Sequence, residues 1–485
     1  MEKMKMITKP VLNTSEENLV SPKAFGAVGD GIADDLAAIE KAVKYACENR
    51  KIVVLDENEY YISDGIELDG VSVLSHNAKL LYHGERFGVP AIRIKSNVNI
   101  LGTLRINAAQ SARDDAAERA PVAIGDYISD GKSRDVYIEE LILSGGNTDS
   151  NGICMTGDCD NITIDRIIIP DGSKICRGVC IHWGNGKDHH TVRGWAPELG
   201  RAGYEHNENG SPMTHCNNIH LGLVDCAGFK AVPGRADNDK AAVTICAASN
   251  ITIDEIKMHD SCHALCVTGA DLGFEYADEA VRRRGQDNIY VKKITGTAMR
   301  SAGVLALGYP WYIRDIRVNT RIKIDECCVE AAEGNRDTGL ALLGITKAEI
   351  GNITLKNFPK QAVNITRGSE NIKIGTLNIE ECRAQAATVN MWSEGDAPAK
   401  SIEISKLNIS GNTDGTLPAL GLIAADGFKI GEINVSGGRF SSLLSLTPEC
   451  KNIRIDKLNA DEGTFAALIS SEEDIPAENN VSIGV

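Results

Sequence analysis

The sequence predicts an all-β chain, a parallel β-helix in which short strands stack coil upon coil, with one helix at its N-terminal end. Three observations carry that expectation. A string of the form x-Asn-Ile-x-Ile/Leu recurs along the chain, and a second family of short apolar strands falls into register beside it. The composition, in turn, suits stacked strands better than a thick globular core.

The helix comes first. The segment Phe25-Gly-Ala-Val-Gly-Asp-Gly-Ile-Ala-Asp-Asp-Leu-Ala-Ala-Ile39 sets a glycine-rich turn (Gly26, Gly29, Gly31) ahead of Asp34 and Asp35. Leu36, Ile39, Ala42, Val43 and Ala46 then fall near helical spacing, which predicts a helix over 34–48. Carboxylates suit its start, where they cap free N–H groups and meet the positive end of the helix dipole. Residues 1–21 form an extension before this segment, the solenoid spans 22–470, and 471–485 form a tail.

The coils are next. Copies of the first string are Asp160-Asn-Ile-Thr-Ile164, Asn217-Asn-Ile-His-Leu221, Ser249-Asn-Ile-Thr-Ile253, Asp287-Asn-Ile-Tyr-Val291, Glu370-Asn-Ile-Lys-Ile374, Lys400-Ser-Ile-Glu-Ile404 and Lys451-Asn-Ile-Arg-Ile455. From Ile374 the spacing is 30 residues to Ile404, 26 to Ile430 and 25 to Ile455, one coil of a three-strand β-helix each time. Alternation turns the isoleucines inward and the polar residue between them outward. The repeated asparagine marks a turn whose amide can bond along a ladder. The second family comprises Ile153-Cys-Met-Thr156, Val179-Cys-Ile-His182, Val243-Thr-Ile-Cys246, Leu265-Cys-Val-Thr268, Val363-Asn-Ile-Thr366 and Val389-Asn-Met-Trp392. Its second and fourth residues are expected outward, lining a long shallow surface suited to a chain-like ligand.

Composition narrows the function. The chain is 42% hydrophobic but only 5% aromatic, with 47 glycines, and a solenoid escapes the usual size limit of one core because it grows along one axis. A net charge of −16 argues against nucleic-acid binding, which needs a basic surplus to displace counterions. No run approaches a membrane span, and Met1–Val20 has no apolar core of a secretion signal. The 14 cysteines include Cys176/Cys180, Cys262/Cys266 and Cys327-Cys328, none at structural-zinc spacing. They are expected to be free, buried thiols, which places synthesis in a reducing, cytoplasmic compartment.

Regularity fails in the middle. Insertions are expected at 183–215, 234–240 and 271–286, and long loops on neighbouring coils suggest the walls of a cleft. Eight of the ten histidines fall between His182 and His263, interleaved with Asp188, Glu205, Asp237, Asp239, Asp260 and Glu275. Trp183, Trp195 and Tyr204 add faces able to stack on sugar rings. Such a mixture suits acid–base chemistry on a polysaccharide. Register puts His182 outward at the base of the largest insertion. Adjacent residues Asp188-His-His190 cannot all face one ion, so no metal site is assigned. Arg282-Arg-Arg284 is either a receiver for an acidic sugar or the charged face of an insertion helix.

The string Phe25–Ile39 resembles the opening segment of the pectin-lyase-like superfamily of single-stranded right-handed parallel β-helices, in which a short helix covers the first coil. His182-Trp-Gly, followed after a long loop by Thr214-His-Cys-Asn-Asn-Ile219, is similar to a segment of phage tailspike polysaccharide depolymerases. That resemblance implies a polysaccharide substrate, cleavage by hydrolysis or β-elimination, a homotrimer, and synthesis followed by assembly on a virion or release by lysis. Asn147-Thr-Asp149 with Gly152-Ile153 is similar to the first polygalacturonase motif, but the later motifs of that order are missing; so is the Asp-Pro-His-Glu of alginate epimerases. In the hydrolytic reading, acid and base come from Glu205, Asp237, Asp239 and Asp260, with His182 and His215 orienting substrate. Trp183, Asp188, His189, Trp195, Tyr204, His263 and Arg282 are the substrate-binding candidates. In the lyase reading a histidine or another base takes the proton alpha to a uronate carboxylate, and a divalent cation is then admissible; otherwise no cofactor is expected. The acidic net charge favours hydrolysis. A sugar epimerase and a non-catalytic carbohydrate-binding spike are the alternatives.

Overall fold

A computed structural model describes residues 7–85, 89–109, 120–125, 132–146, 151–181, 216–228, 240–246, 248–268, 287–306, 321–366, 368–382, 389–392, 398–411 and 415–484. The chain is nearly all β, folded as a right-handed parallel β-helix with one N-terminal helix. It divides into two compact units. The first holds the described residues up to 228 together with 240–257, and the second holds 258–268 and the residues from 287 onward. Among the described residues no helix is long and apolar enough to cross a membrane.

Among the described residues, strands such as Lys132–Ser144, Asp158–Ile169 and Asn217–Cys226 pair in parallel, because each coil returns the chain to the same edge before the next begins. Long strands such as Asp158–Ile169 and Lys400–Ser410 alternate in sequence with short ones such as Arg177–Ile181 and Leu420–Ile423. In the first unit Ile100, Ile138, Ile164 and Leu221 stack in one inward column with no exposed surface. Ile94, Ile124, Met155, Ile181 and Ile245 stack likewise on the short strands. In the second unit the predicted interval is the observed one: Ile374 pairs with Ile404, Ile404 with Ile430 and Ile430 with Ile455. Each isoleucine so buried contributes about 1.5–3 kcal/mol relative to exposure, and the column repeats the gain at every coil.

The asparagine ahead of each inward pair has a specific task. Asn161, Asn218, Asn250, Asn288, Asn371 and Asn452 all have φ between 53° and 60°. That left-handed conformation turns the corner into the long strand, and asparagine tolerates it better than most residues. Several also reach one coil back: Asn218 Nδ2 donates to Asp160 Oδ1 at 2.7 Å and Asn250 Nδ2 to Asn217 Oδ1 at 2.8 Å. A second amide stack, not singled out by the sequence, runs along the far arm of the long strands. There Asn459 donates to Asn434 at 2.7 Å, Asn434 to Asn408 at 2.8 Å, Asn408 to Asn378 at 2.7 Å, and Asn378 to Thr354 at 3.1 Å. Midway, the long strands bend where Gly351 and Gly375 lie. A Cβ on Gly351 would come within 2.3 Å of the Asp325 carbonyl, so the close approach of successive bends requires glycine.

The helix spans Leu36–Asn49 and buries Ile39, Ala42, Val43 and Ala46 of the predicted face, with Ala38 buried where Leu36 is expected and Leu36 half-buried. Its two aspartates divide the work differently from a simple double cap. Asp34 Oδ1 accepts the Leu36 N–H at 3.1 Å, whereas the Asp35 side chain makes no cap bond. Asp35 is instead buried, with its carboxylate accepting from the amides of Val28 at 2.6 Å and Gly29 at 3.1 Å. The glycine turn is therefore tied to the helix by the second aspartate. Beyond 470 the chain re-enters the fold, since Val481–Ile483 pairs with the strand Lys451–Ala460. No disulfide joins the thirteen cysteines whose side chains are described, and of these only Cys47 and Cys328 are exposed.

Candidate functional site

Glu205, Asp237, Asp239, His182 and His215 lie outside the described residues, as do Trp183, Asp188, His189, Trp195, Tyr204 and Arg282. Asp260 and His263 lie within them, and the structure brings both to one turn of the second unit. The turn joins the end of the strand Ser249–Ser261 to the short strand His263–Thr268.

Asp260 holds a left-handed backbone (φ 53°), and its N–H donates to Thr297 Oγ1 at 3.0 Å. The following residues zip onto the next coil: Met299 N–H donates to Ser261 O at 2.7 Å, and Ala264 N–H to Ser301 O at 3.1 Å. His263 is buried. The Ser301 backbone N–H donates to its Nδ1 at 3.1 Å, with Ser301 Oγ 2.7 Å from the same nitrogen. Accepting from an N–H leaves Nδ1 without a proton, so the ring is neutral with its proton on Nε2. A third coil continues the stack. Asn335 Nδ2 donates to Ala298 O at 2.7 Å and to Arg300 O at 2.6 Å, while its Oδ1 accepts the Asp337 N–H at 2.7 Å. Asp337 Oδ2 lies 3.5 Å from Arg300 Nη1.

Three consecutive coils carry an acid, a base and an acid near this turn, Asp260, Arg300 and Asp337, with Asp260 beside Thr297 and Arg300 beside Cys262, so that Asp260 is offset from the column of the other two. Arg300 and Asp337 occupy equivalent positions, each three residues ahead of the first inward residue of its short strand, Gly303 or Leu340. Sequence reasoning missed both, together with Asn335. The usable signal was the recurrence of a polar residue and then a small one before these strands, as in His263-Ala264, Ser301-Ala302, Thr338-Gly339 and Gln361-Ala362.

The outward positions of the short strands are not uniformly open. In the first unit Cys154, Cys180 and Thr244 share one outward column and are 3%, 4% and 2% exposed, rather than lining an open surface. Thr156 and Thr366 are buried as well, since the fourth position is a corner; Ser369 N–H turns back onto Thr366 O at 3.2 Å. In the second unit Ala341 and Asn364 stay partly exposed.

The long strands carry a recurring contact between coils on their outer face. Tyr137 donates its hydroxyl to Asp165 in the next coil, and Tyr290 does the same to Asp325. His220 Nε2 meets Asp254 Oδ2 at 3.1 Å in the matching place. Burial, with Asp165 next to it, pushes the Tyr137 hydroxyl far above its ordinary pKa. Burial works against the Asp325 carboxylate, but hydrogen bonds from Lys323 and Tyr290 outweigh it and hold the group below its usual range. These are tethers between coils rather than reactive groups. Among the described residues no three His, Cys, Asp or Glu side chains come together to hold a metal ion.

No family model and no curated protein sequence matches the chain. Solved structures do. The pre-mature gene product 12 of bacteriophage phi29 aligns with a TM-score of 0.53 at 12% identity, over 96% of this chain and 58% of the phage chain. The A-module of mannuronan C-5 epimerase AlgE4 from Azotobacter vinelandii is 16% identical with a TM-score of 0.48, over 95% of this chain and 99% of the module. PfbA, a surface adhesin of Streptococcus pneumoniae, is 12% identical with a TM-score of 0.46, over 92% and 93%. The likeness to the phage protein is one of fold, the right-handed parallel β-helix.

Proposed function

We propose that this chain is a polysaccharide depolymerase that cleaves glycosidic bonds of a bacterial-surface or plant-type polysaccharide, by hydrolysis in preference to β-elimination. The observation that supports this reading is the series Asp260, Arg300, Asp337 on three successive coils. At a strand spacing of about 4.8 Å, two coils separate carboxylates by roughly 10 Å along the stack, and the register offset of Asp260, which lies by Thr297 rather than Arg300, adds to that. Hydrolysis with inversion needs about 6.5–9.5 Å between the carboxyl that protonates a leaving oxygen and the one that activates a water, so Asp260 or Asp337 would work with a further carboxylate from Glu205, Asp237 or Asp239. Arg300 between them supplies positive charge for a sugar hydroxyl or a developing oxyanion. His263, locked by Ser301, positions the turn that carries Asp260. Glu205, Asp237 and Asp239 remain the further carboxylates to substitute, with His182 and His215 as orienting groups.

The test is incubation with a panel of capsular and plant polysaccharides, following new reducing ends and the ultraviolet absorbance of unsaturated products. Reducing ends without absorbance are expected. Asp260→Asn and Asp337→Asn should each lower the rate by about 10²–10⁴-fold, the usual worth of a general acid or base, with unchanged circular dichroism. An absorbance rise would replace hydrolysis by elimination. Altered sugar configuration without shortening would replace it by epimerisation, and binding without any product would make the chain a non-catalytic spike.

A further inference from the structure

The last short strand of the second unit, Phe465–Ser470, is an unfinished edge. It pairs on one side with Phe440–Leu446, in the register Phe440 to Phe465, Ser442 to Ala467 and Leu444 to Ile469. Among the described residues no strand lies on its other side. Its core-register side chains are correspondingly bare: Ile469 is 39% exposed where its partner Leu444 has no exposed surface. Leu468 and, two coils further in, Ile423 are also large exposed apolar residues. Free sheet edges are normally blunted by lysine, proline or a bulge. The strand Phe-Ala-Ala-Leu-Ile-Ser contains neither a charge nor a proline nor a glycine.

The ends of this strand carry charge of one sign. Asp461 and Glu462 precede it, while Glu472, Glu473 and Asp474 follow it, all exposed. A second copy laid antiparallel would set Asp461 and Glu462 against Glu472 to Asp474, and a parallel copy would set each cluster against itself. Both arrangements put like charges together, so self-pairing is disfavoured. Beside the strand lies a cleft of about 670 Å³ lined by Ile423, Ser445, Thr447, Glu449, Ser470 and Glu472 among others. A hydrogen bond with the Thr447 side chain holds the Glu449 carboxyl below its ordinary pKa, so it is charged at neutral pH.

We propose that Phe465–Ser470 is a docking edge for an extended segment of another protein, one that alternates apolar residues and carries Lys or Arg at both ends. The guest strand supplies the missing ladder of main-chain hydrogen bonds, covers Ile469, and places basic side chains on the two acidic flanks and in the cleft. The probe is a synthetic peptide of alternating valine and threonine with two lysines at each end. Its controls are the glutamate-ended analogue and a lysine-ended peptide N-methylated at alternate residues. Titration against the intact chain should show binding of the lysine-ended peptide alone, weakened by about tenfold or more by salt or by Glu472→Lys with Glu473→Lys. Those residues are exposed, and unchanged circular dichroism confirms that the variant folds. Equal binding of lysine- and glutamate-ended peptides, retention by the N-methylated peptide, or no binding at all would overturn the proposal. So would a concentration-dependent dimer in sedimentation that Leu468→Lys abolishes, which would assign the edge to a second copy of the chain.

Discussion

The first coil of the first unit and the last coil of the second face one problem, a column of apolar side chains with no full coil above it, and they meet it differently. At the first coil the helix Leu36–Asn49 lays Ile39, Ala42 and Ala46, each at most 2% exposed, over the opening. At the last, Phe465–Ser470 leaves Ile469 in contact with water. A helix can seal a coil because its side chains approach across the strand ends without needing a register. A strand can seal only by continuing the ladder, and then creates the next edge. The difference teaches that the N-terminal closure is a packing interface and the C-terminal end a pairing interface.

Substitution should separate the two most sharply. Ala42→Asp places a carboxylate where no surface is exposed and should cost more than about 4 kcal/mol, whereas Ile469→Asp should cost below about 1 kcal/mol. Chemical denaturation of both variants tests this, and equal losses would mean that the last coil is as well sealed as the first. Next in size is Asp35→Ala. It strips the acceptor from the Val28 and Gly29 amides and should cost about 1–3 kcal/mol, read the same way.

Thiol labelling sharpens the comparison without mutation. Cys47 and Cys328 are exposed and should alkylate in the native protein, while Cys327, buried and with its thiol pushed up to about 12, should not. Cys450 is buried beneath the open end. It should label after the two exposed thiols but before Cys154 and Cys159, because an unsealed coil opens ahead of the interior. Simultaneous labelling of Cys450 and Cys154 would contradict the ordering.

The smallest effect is acid sensitivity of the glycine turn. Backbone N–H groups of Ala33 and Ile32 hold the Asp30 carboxyl below its ordinary pKa. A lowered folded-state pKa means the contribution is present above the unfolded value, near 3.9, and is lost as pH falls through the folded one. Asp30→Asn should therefore flatten the unfolding curve below about pH 4 and leave its neutral part little changed apart from a constant offset. An unaltered acid limb would remove Asp30 from the account.

Much of the scaffold was legible because the corner conformation selects its residue. A left-handed φ at one place per coil favours asparagine, so Asn161, Asn218, Asn250 and Asn371 record the coil in the sequence, and even Ser401 keeps the angle, at 54°. The site was less legible for an equally physical reason. Whether Asp260 meets Thr297, or Arg300 meets Asp337, depends on how many residues the intervening connections spend before the chain returns to the same edge. No local pattern encodes that number. Alternation likewise assigned Cys154 and Cys180 to the outward face, but it is silent on whether an outward face is wet.

The amide stack on the far arm has a direction. From Asn459 through Asn434 and Asn408 to Asn378 and Thr354, each side chain gives its hydrogen to the coil before it. Dipoles aligned in this way polarise one another, so the stack behaves as a single oriented object. Two neighbouring coils with near-identical sequences are thus not interchangeable halves. Each is a donor to one neighbour and an acceptor to the other, and a coil inserted the other way round would meet donor with donor on one side and acceptor with acceptor on the other.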